Sequence, residues 1–207
     1  MTISVSYDSL AGSVSINDYL TDWALGFKTA GHGTSNTGGF SNGSLSGDQY
    51  ATHGAKGSDY AFIADSDTSN GLHYVFDPKQ PASSNLNHYL WGELDNVQLG
   101  QELGGGSGSD FTLDTYKVAF NGLDLSSAEG AGRVGNAVQE VIYGLMQGNT
   151  AALTSVLNDL LDDYGLSTAS TFDQLAAAGI GHAVDSFATD VALVGVQDVA
   201  QDWALAA

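Results

Sequence analysis

Two imidazoles and two phenols lie close together within residues 71–92. His73 and Tyr74 belong to one run of β-forming residues, and His88 and Tyr89 belong to the next. The segment between the runs holds both prolines of the chain and a Ser/Asn cluster. It is predicted to be a loop, because such residues interrupt sheet hydrogen bonding. Since tyrosinate oxygen and imidazole nitrogen both bind ferric iron, the two ends of this loop are a candidate metal-binding site.

Tyr74 needs a partner if it is to bind a metal ion as tyrosinate, because the reference pKa of a phenol is about 10. An imidazole that hydrogen-bonds to the phenol oxygen provides that help. His73 is poorly placed for this role, because adjacent strand residues point to opposite faces, whereas His88 reaches Tyr74 if the loop folds back. Two other readings remain open: Tyr74 as an ordinary strand aromatic, and a metal site formed by His73, Asp77 and His88.

The remaining histidines lie in different settings. His32 belongs to a long segment, residues 30–47, that consists almost entirely of Gly, Ser, Thr and Asn. Long loops of this kind often carry function. His53 and His182 are interpreted as surface histidines.

Charge and composition exclude several classes of protein. The chain of 207 residues has 24 acidic and five basic residues, a net charge of −19, and no cysteine. This surface repels nucleic acid and anionic lipid, and it favours a soluble monomer. Disulfides and thiolate metal sites are excluded. No secretory signal peptide and no membrane-spanning run is found, which fits a cytosolic protein or one exported without an N-terminal signal.

Secondary-structure patterns predict an α+β fold in which helices pack on one face of an antiparallel sheet. A helix is predicted over residues 16–27, with strands at 2–7, 49–54, 59–65, 72–76, 88–99 and 111–120. Three apolar faces then predict helices: Val134 to Met146, Leu153 to Leu161, and a short one capped by Ser170 and Asp173. Residues 1–182 are predicted to form one domain, and residues 183–207 a poorly ordered tail.

Several segments, taken together and in order, resemble the HasA-type hemophore family of secreted bacterial haem-scavenging proteins. They are DYLTDWALGF, SNTGGF, SGDQYA, LHYVF, HYLWGELDNVQLG, GLDLSS, VIYGLMQGNTAAL, STFDQLAAAGIGHA and VGVQDVAQDWALAA. The resemblance covers nearly the whole chain. It implies a curved antiparallel sheet with helices on one face, and haem b (iron protoporphyrin IX) held between two loops at one end.

The resemblance also implies a set of site residues. The axial tyrosine falls on Tyr74, the axial histidine on His32, and the histidine that hydrogen-bonds the tyrosine on His88. Further haem contacts fall on Phe76, Tyr143 and Met146, with Thr37 and Arg133 on the propionate side. Tyr74 and His88 lie farther apart in sequence than is usual in the family, and the loop that carries His32 is shorter. No role is predicted for Gln139.

The function implied by the resemblance is haem transport rather than catalysis. An extracellular hemophore takes haem from haemoglobin or free pools and passes it to a TonB-dependent outer-membrane receptor. The tail would serve as an export signal for a type I ABC transporter. Two alternatives are a non-haem metal-binding protein and an adhesive secreted protein without a ligand.

Overall fold

The computed structural model describes residues 2–27, 38–41, 44–55, 57–106 and 108–185. Within these ranges nine β-strands form one sheet, accompanied by four α-helices. The strands are β1 (Ser4–Asp8), β2 (Gly39–Phe40), β3 (Ser46–Gly47), β4 (Gln49–His53), β5 (Tyr60–Asp65), β6 (Leu72–Phe76), β7 (His88–Gly105), β8 (Phe111–Ser127) and β9 (Gly181–Val184). The helices are α1 (Ile16–Phe27), α2 (Ala137–Met146), α3 (Ala151–Asp162) and α4 (Phe172–Ala177). The predicted α+β class is confirmed.

Strand β7 organises the sheet because it is 18 residues long and pairs with three other strands. One of its edges pairs with β8, and the other pairs first with β6 and then with β5. Consecutive strands with short turns predict an antiparallel meander. That prediction is wrong at this point, because β5 lies beside β7 and not beside β6 along the main sheet. All described pairs are antiparallel except β1 with β9. The β6–β7 hairpin therefore lies at one end of the sheet.

The two faces of the sheet carry different apolar clusters, as strand periodicity requires. In β5, Phe62 and Ala64 face the main core, which the four helices cover. Ala61 and Ile63 point to the opposite face and pack with Leu113 in a smaller cluster. The helices thus cover one face, as the sequence predicts.

Helix α1 begins and ends where the sequence predicts. Ser15 Oγ accepts a hydrogen bond from the Asp18 N–H at 3.1 Å and caps the first turn. Its buried face anchors the helix to the sheet: Trp23 Nε1 donates to the Ala61 carbonyl at 3.0 Å, and Tyr19 Oη donates to the Leu99 carbonyl at 2.8 Å. Both polar atoms of these large aromatics are therefore satisfied within the core.

Two details of the predicted helices are corrected. Helix α4 is capped by Thr171, not Ser170, because Thr171 Oγ1 accepts from the Gln174 N–H and the Gln174 side chain accepts from the Thr171 N–H. Ser170 Oγ instead accepts from the Ser167 N–H in the preceding turn. Val134 does not belong to the apolar face of α2, because that helix starts at Ala137 and Val134 is exposed.

The C-terminal end of the described chain joins the sheet. Strand β9 runs parallel to β1, so Ala183 and Val184, the first residues of the predicted tail, belong to a strand. The rest of the tail from residue 186 onward lies outside the described residues. In the part of the chain that the structure describes, no helix is both long and apolar enough to cross a membrane.

Gly92 is a position where only glycine fits. Its φ is +119°, and an added Cβ would collide with the carbonyl oxygen of Gly71 where β7 passes the start of β6. We expect Gly92→Ala to lower the free energy of unfolding by about 2 kcal/mol or more, measured by urea denaturation. Gly39→Ala is the control, because a Cβ there meets no neighbour and φ is not positive. Equal losses in the two variants would contradict this explanation.

Candidate functional site

Tyr74 and His88 meet across the β6–β7 hairpin. In the strand register, Tyr74 lies opposite Leu90 and Phe76 lies opposite His88. Tyr74 and His88 are therefore diagonal neighbours on one face of the two strands. The Tyr74 Oη and His88 Nδ1 atoms lie 3.4 Å apart. The hairpin thus brings together two residues that are 14 positions apart in the sequence.

The long connection between β6 and β7 is closed at its base. The Asp77 N–H donates to the Asn87 carbonyl at 2.7 Å, directly beyond the last strand pair. The side chain of Asn87 is buried, and its Nδ2 donates to the carbonyls of Asp77 and Gln80 at 3.0 and 2.8 Å. The extra residues therefore form a self-contained loop. They do not disturb the register that aligns Tyr74 with His88.

His73 lies on the other side of the hairpin. Its ring stacks on Trp91 with centroids 4.1 Å apart, and its Nε2 lies 2.6 Å from the Asn70 carbonyl. The alternative metal site of His73, Asp77 and His88 has no support, since the described residues contain no cluster of three or more His, Asp or Glu side chains able to hold a metal ion.

Arg133 approaches His88 from the segment that precedes α2. Its Nη1 lies 3.1 Å from His88 Nε2, and its Nη2 donates to the Ser84 carbonyl in the β6–β7 loop. The backbone N–H of Arg133 donates to Asn85 Oδ1 at 2.7 Å. Arg133 is therefore attached both to the loop and to the histidine that faces Tyr74.

Two buried amides fix α2 beside the hairpin. Asn136 caps the helix by accepting from the Gln139 N–H, and its Nδ2 donates to the carbonyls of Leu90 and Gly132, both at 2.8 Å. Gln139 Oε1 accepts from the Leu90 N–H at 2.6 Å. The sequence reasoning missed both roles. The available signal was the pattern of Asn followed three residues later by Gln, which is typical of a helix start.

A cavity of about 520 Å³ opens beside the Tyr74–His88 pair. Residues 38–40 and 44–45, the hairpin and α2 form its walls. Its lining includes Phe40, Leu45, Tyr50, Tyr74, His88, Leu90, Arg133, Tyr143 and Met146. The volume lies within the range of small-molecule and cofactor sites, and the mixture of apolar walls with a few convergent polar groups is typical of them.

Among the four tyrosines that line this cavity, Tyr50 and Tyr74 differ in their environments. Burial raises the pKa of both Tyr50 and Tyr74 above that of a free phenol. Tyr50 is almost completely buried, and a negative charge on Tyr74 raises the pKa of Tyr50 further. Tyr50 Oη also donates to the sulfur of Met146 at 3.5 Å. Tyr74 is only half-buried and is adjacent to an imidazole, so it is the phenol better placed to act as an anionic ligand.

The other predicted site residues fall into three groups. Tyr143, Met146 and Arg133 line the cavity together with Tyr74 and His88. Phe76 is exposed at the end of β6 and does not belong to the described lining. His32 and Thr37 lie outside the described residues.

Fold and site together define an α+β protein with a ligand cavity beside a Tyr–His pair at one end of its sheet. The family model described as "Heme-binding protein A (HasA)" matches residues 1–207. The hemophore HasA of Serratia marcescens is 44% identical over 191 residues, which cover 88% of this chain and 96% of that relative. The chain belongs to the HasA family.

Solved structures of the hemophore HasA from Yersinia pestis have the same fold. The apo form in a tetragonal crystal aligns with a TM-score of 0.69 at 27% identity, covering 88% of this chain and 97% of that one. The holo form gives the same TM-score at 26% identity, covering 88% and 99%.

Proposed function

We propose that this chain is an extracellular hemophore that binds haem b through a Tyr74 tyrosinate supported by His88. The observation that carries the proposal is the approach of Tyr74 Oη to His88 Nδ1, 3.4 Å apart at the wall of a cavity. Membership of the HasA family supports it. The chain acts as a carrier, without catalysis.

The donor set and the cavity fit a ferric porphyrin. Ferric iron takes a tyrosinate as an axial ligand, and a hydrogen bond donated to its oxygen from outside the coordination sphere favours the tyrosinate over the phenol. The porphyrin itself is an apolar disc, and Leu90, Tyr143 and Met146 offer apolar surface at the cavity wall. When bound, haem supplies the iron that is to be transported.

The remaining contacts extend this assignment. His32 is proposed as the second axial ligand, and Thr37 as a hydroxyl that contacts a propionate. Phe76 would contact the porphyrin edge from the exposed end of β6. Arg133 is near enough to the cavity to contact a propionate as well, since a guanidinium has five N–H groups and only some are needed by His88 and Ser84.

The biological setting proposed for the chain is secretion and iron acquisition. The protein, a monomer, would leave the cell through a type I ABC apparatus that reads the C-terminal tail. Outside, it would take haem from haemoglobin or free pools and deliver it to a TonB-dependent outer-membrane receptor. Its net charge of −19 supports the exclusion of nucleic acid and anionic membranes as partners.

Titration of the purified protein with hemin tests the proposal. A sharp Soret band that saturates at one hemin per chain is the expected result. A non-haem metal protein or an adhesive protein without a ligand would give no saturable Soret band. That result would overturn the proposal.

His32→Ala tests the second ligand separately. Loss of an axial histidine is expected to shift the ferric iron towards a high-spin spectrum while Tyr74 still holds it, with a loss of affinity of about tenfold or less. Electron paramagnetic resonance and the visible bands report the spin state. His53→Ala, at a histidine outside the cavity lining, is the control. An unchanged spin state in His32→Ala would show that His32 does not bind the iron.

A further inference from the structure

The protonation pattern of His88 is determined by its two neighbours. Nε2 faces Nη1 of Arg133 at 3.1 Å, and Nδ1 faces Oη of Tyr74 at 3.4 Å. A guanidinium has only N–H donors and no acceptor, and it stays protonated in proteins. The nitrogen that faces it must therefore present a lone pair. In a neutral imidazole the other nitrogen, Nδ1, then carries the proton.

We propose that Arg133 is a positioning residue that holds His88 in its Nδ1–H tautomer and so makes His88 a hydrogen-bond donor to Tyr74 Oη. The direction of this hydrogen bond decides what His88 does for Tyr74. An Nδ1–H group that donates to the oxygen favours the tyrosinate over the phenol. An Nδ1 lone pair would instead accept a hydrogen bond from the phenol O–H and favour the phenol. The inference rests on the proposed function, in which Tyr74 binds iron as tyrosinate.

The surrounding structure holds Arg133 in place for this role. Its backbone N–H donates to Asn85, and its Nη2 donates to the Ser84 carbonyl, so both ends of the residue are attached to the β6–β7 loop. Gly132 permits this close approach, because its φ is +74° and an added Cβ would collide with the Asn85 side chain. On the other side, Asn136 Nδ2 holds the Gly132 carbonyl at 2.8 Å. The guanidinium is thus presented to His88 by a fixed backbone.

This role differs from that of a propionate-side cation, because Arg133 acts on the iron ligand through His88. A propionate contact would contribute whether or not His88 is present. A positioning role requires His88. The two roles therefore give different results in a double-mutant cycle.

Imidazole ¹⁵N chemical shifts of the apo protein test the tautomer directly, without haem. In the native chain with His88 neutral, Nδ1 is expected to show the shift of a protonated nitrogen and Nε2 that of an unprotonated one. Arg133→Met is expected to change this to a mixture or to the opposite tautomer, and Arg133→Lys to restore it in part. Lys79→Met removes a cation from the β6–β7 loop that Arg133 contacts, and it is the matched control. Native Nδ1–H shifts in Arg133→Met would overturn the proposal.

Hemin affinity supplies the second measurement. Arg133→Met is expected to weaken binding about tenfold more in the native background than in a His88→Ala background, where only a propionate contact remains to be lost. An equal loss in both backgrounds would mean that Arg133 contacts the ligand and does not act through His88. Backbone amide spectra of each variant show whether the fold is retained. If the native chain binds no hemin, the proposed function fails, while the tautomer measurement in the apo protein still decides the positioning role.

Discussion

Tyr74→Phe is expected to weaken hemin binding by about a hundredfold or more, because even the loss of a partner outside the coordination sphere costs about 10- to 100-fold in metal affinity. The substitution removes only the phenol oxygen and keeps the ring. Packing of the half-buried ring is therefore retained, and the change in affinity reports the iron bond. The Soret band and the tyrosinate-to-iron charge-transfer absorption should both change. Competition titration against a reference haem-binding protein gives the affinity.

Tyr143→Phe is the matched control for this prediction. Tyr143 lines the same cavity from α2 and loses the same hydroxyl group. We expect its hemin affinity to stay within about twofold of the native value, because its proposed contact is made by the ring. If Tyr74→Phe kept the native spectrum and affinity, Tyr74 would not be the iron ligand. Equal losses in both variants would indicate a general effect of phenol groups on the cavity.

Asn136→Ala is expected to lower the free energy of unfolding by about 2–4 kcal/mol. The loss combines a helix cap, worth about 1 kcal/mol, with two buried carbonyls, of Leu90 and Gly132, that lose their donor. Asn136 is only 2% exposed, so water does not readily replace the missing amide. Urea denaturation, monitored by tryptophan fluorescence, measures the difference.

Asn149→Ala is the control for the loss of an amide at a helix start. Asn149 accepts from the Ala151 N–H at 2.9 Å, but it is exposed, and water can take its place. A loss of about 1 kcal/mol or less is expected there. If Asn136→Ala cost no more than Asn149→Ala, the buried carbonyls would not depend on Asn136. The attachment of α2 to β7 would then have another cause.

Local patterns predicted the elements that carry the site. Runs of β-forming residues located β6 and the start of β7, and a cap followed by helical spacing located α1 with its observed ends. The prediction of the α4 cap was displaced by one residue, because Ser170 and Thr171 are equally suitable by residue type. The choice depends on Gln174, which hydrogen-bonds reciprocally with Thr171.

The β6–β7 loop shows why sequence distance is a poor guide to spatial distance. Residues 77–87 could have separated Tyr74 from His88, but Asn87 closes the loop at its base and keeps the strand register. The relevant contacts join a buried amide to carbonyls seven and ten residues away. No periodicity in the sequence encodes them.

The sequence by itself determined the α+β class, the net charge that disfavours nucleic acid as a partner, and the pairing of Tyr74 with His88 as a hypothesis. The class and the charge follow from composition and local patterns, whereas the pairing rested on residue types and on the resemblance to hemophores. Only the tertiary structure decided that β5 lies beside β7, that Asn136 and Gln139 fix α2 to the hairpin, and that Arg133 faces His88. Arg133 and His88 are 45 residues apart. Contacts of that kind depend on how α2 packs against the sheet. The sequence pattern of either segment alone does not predict that packing.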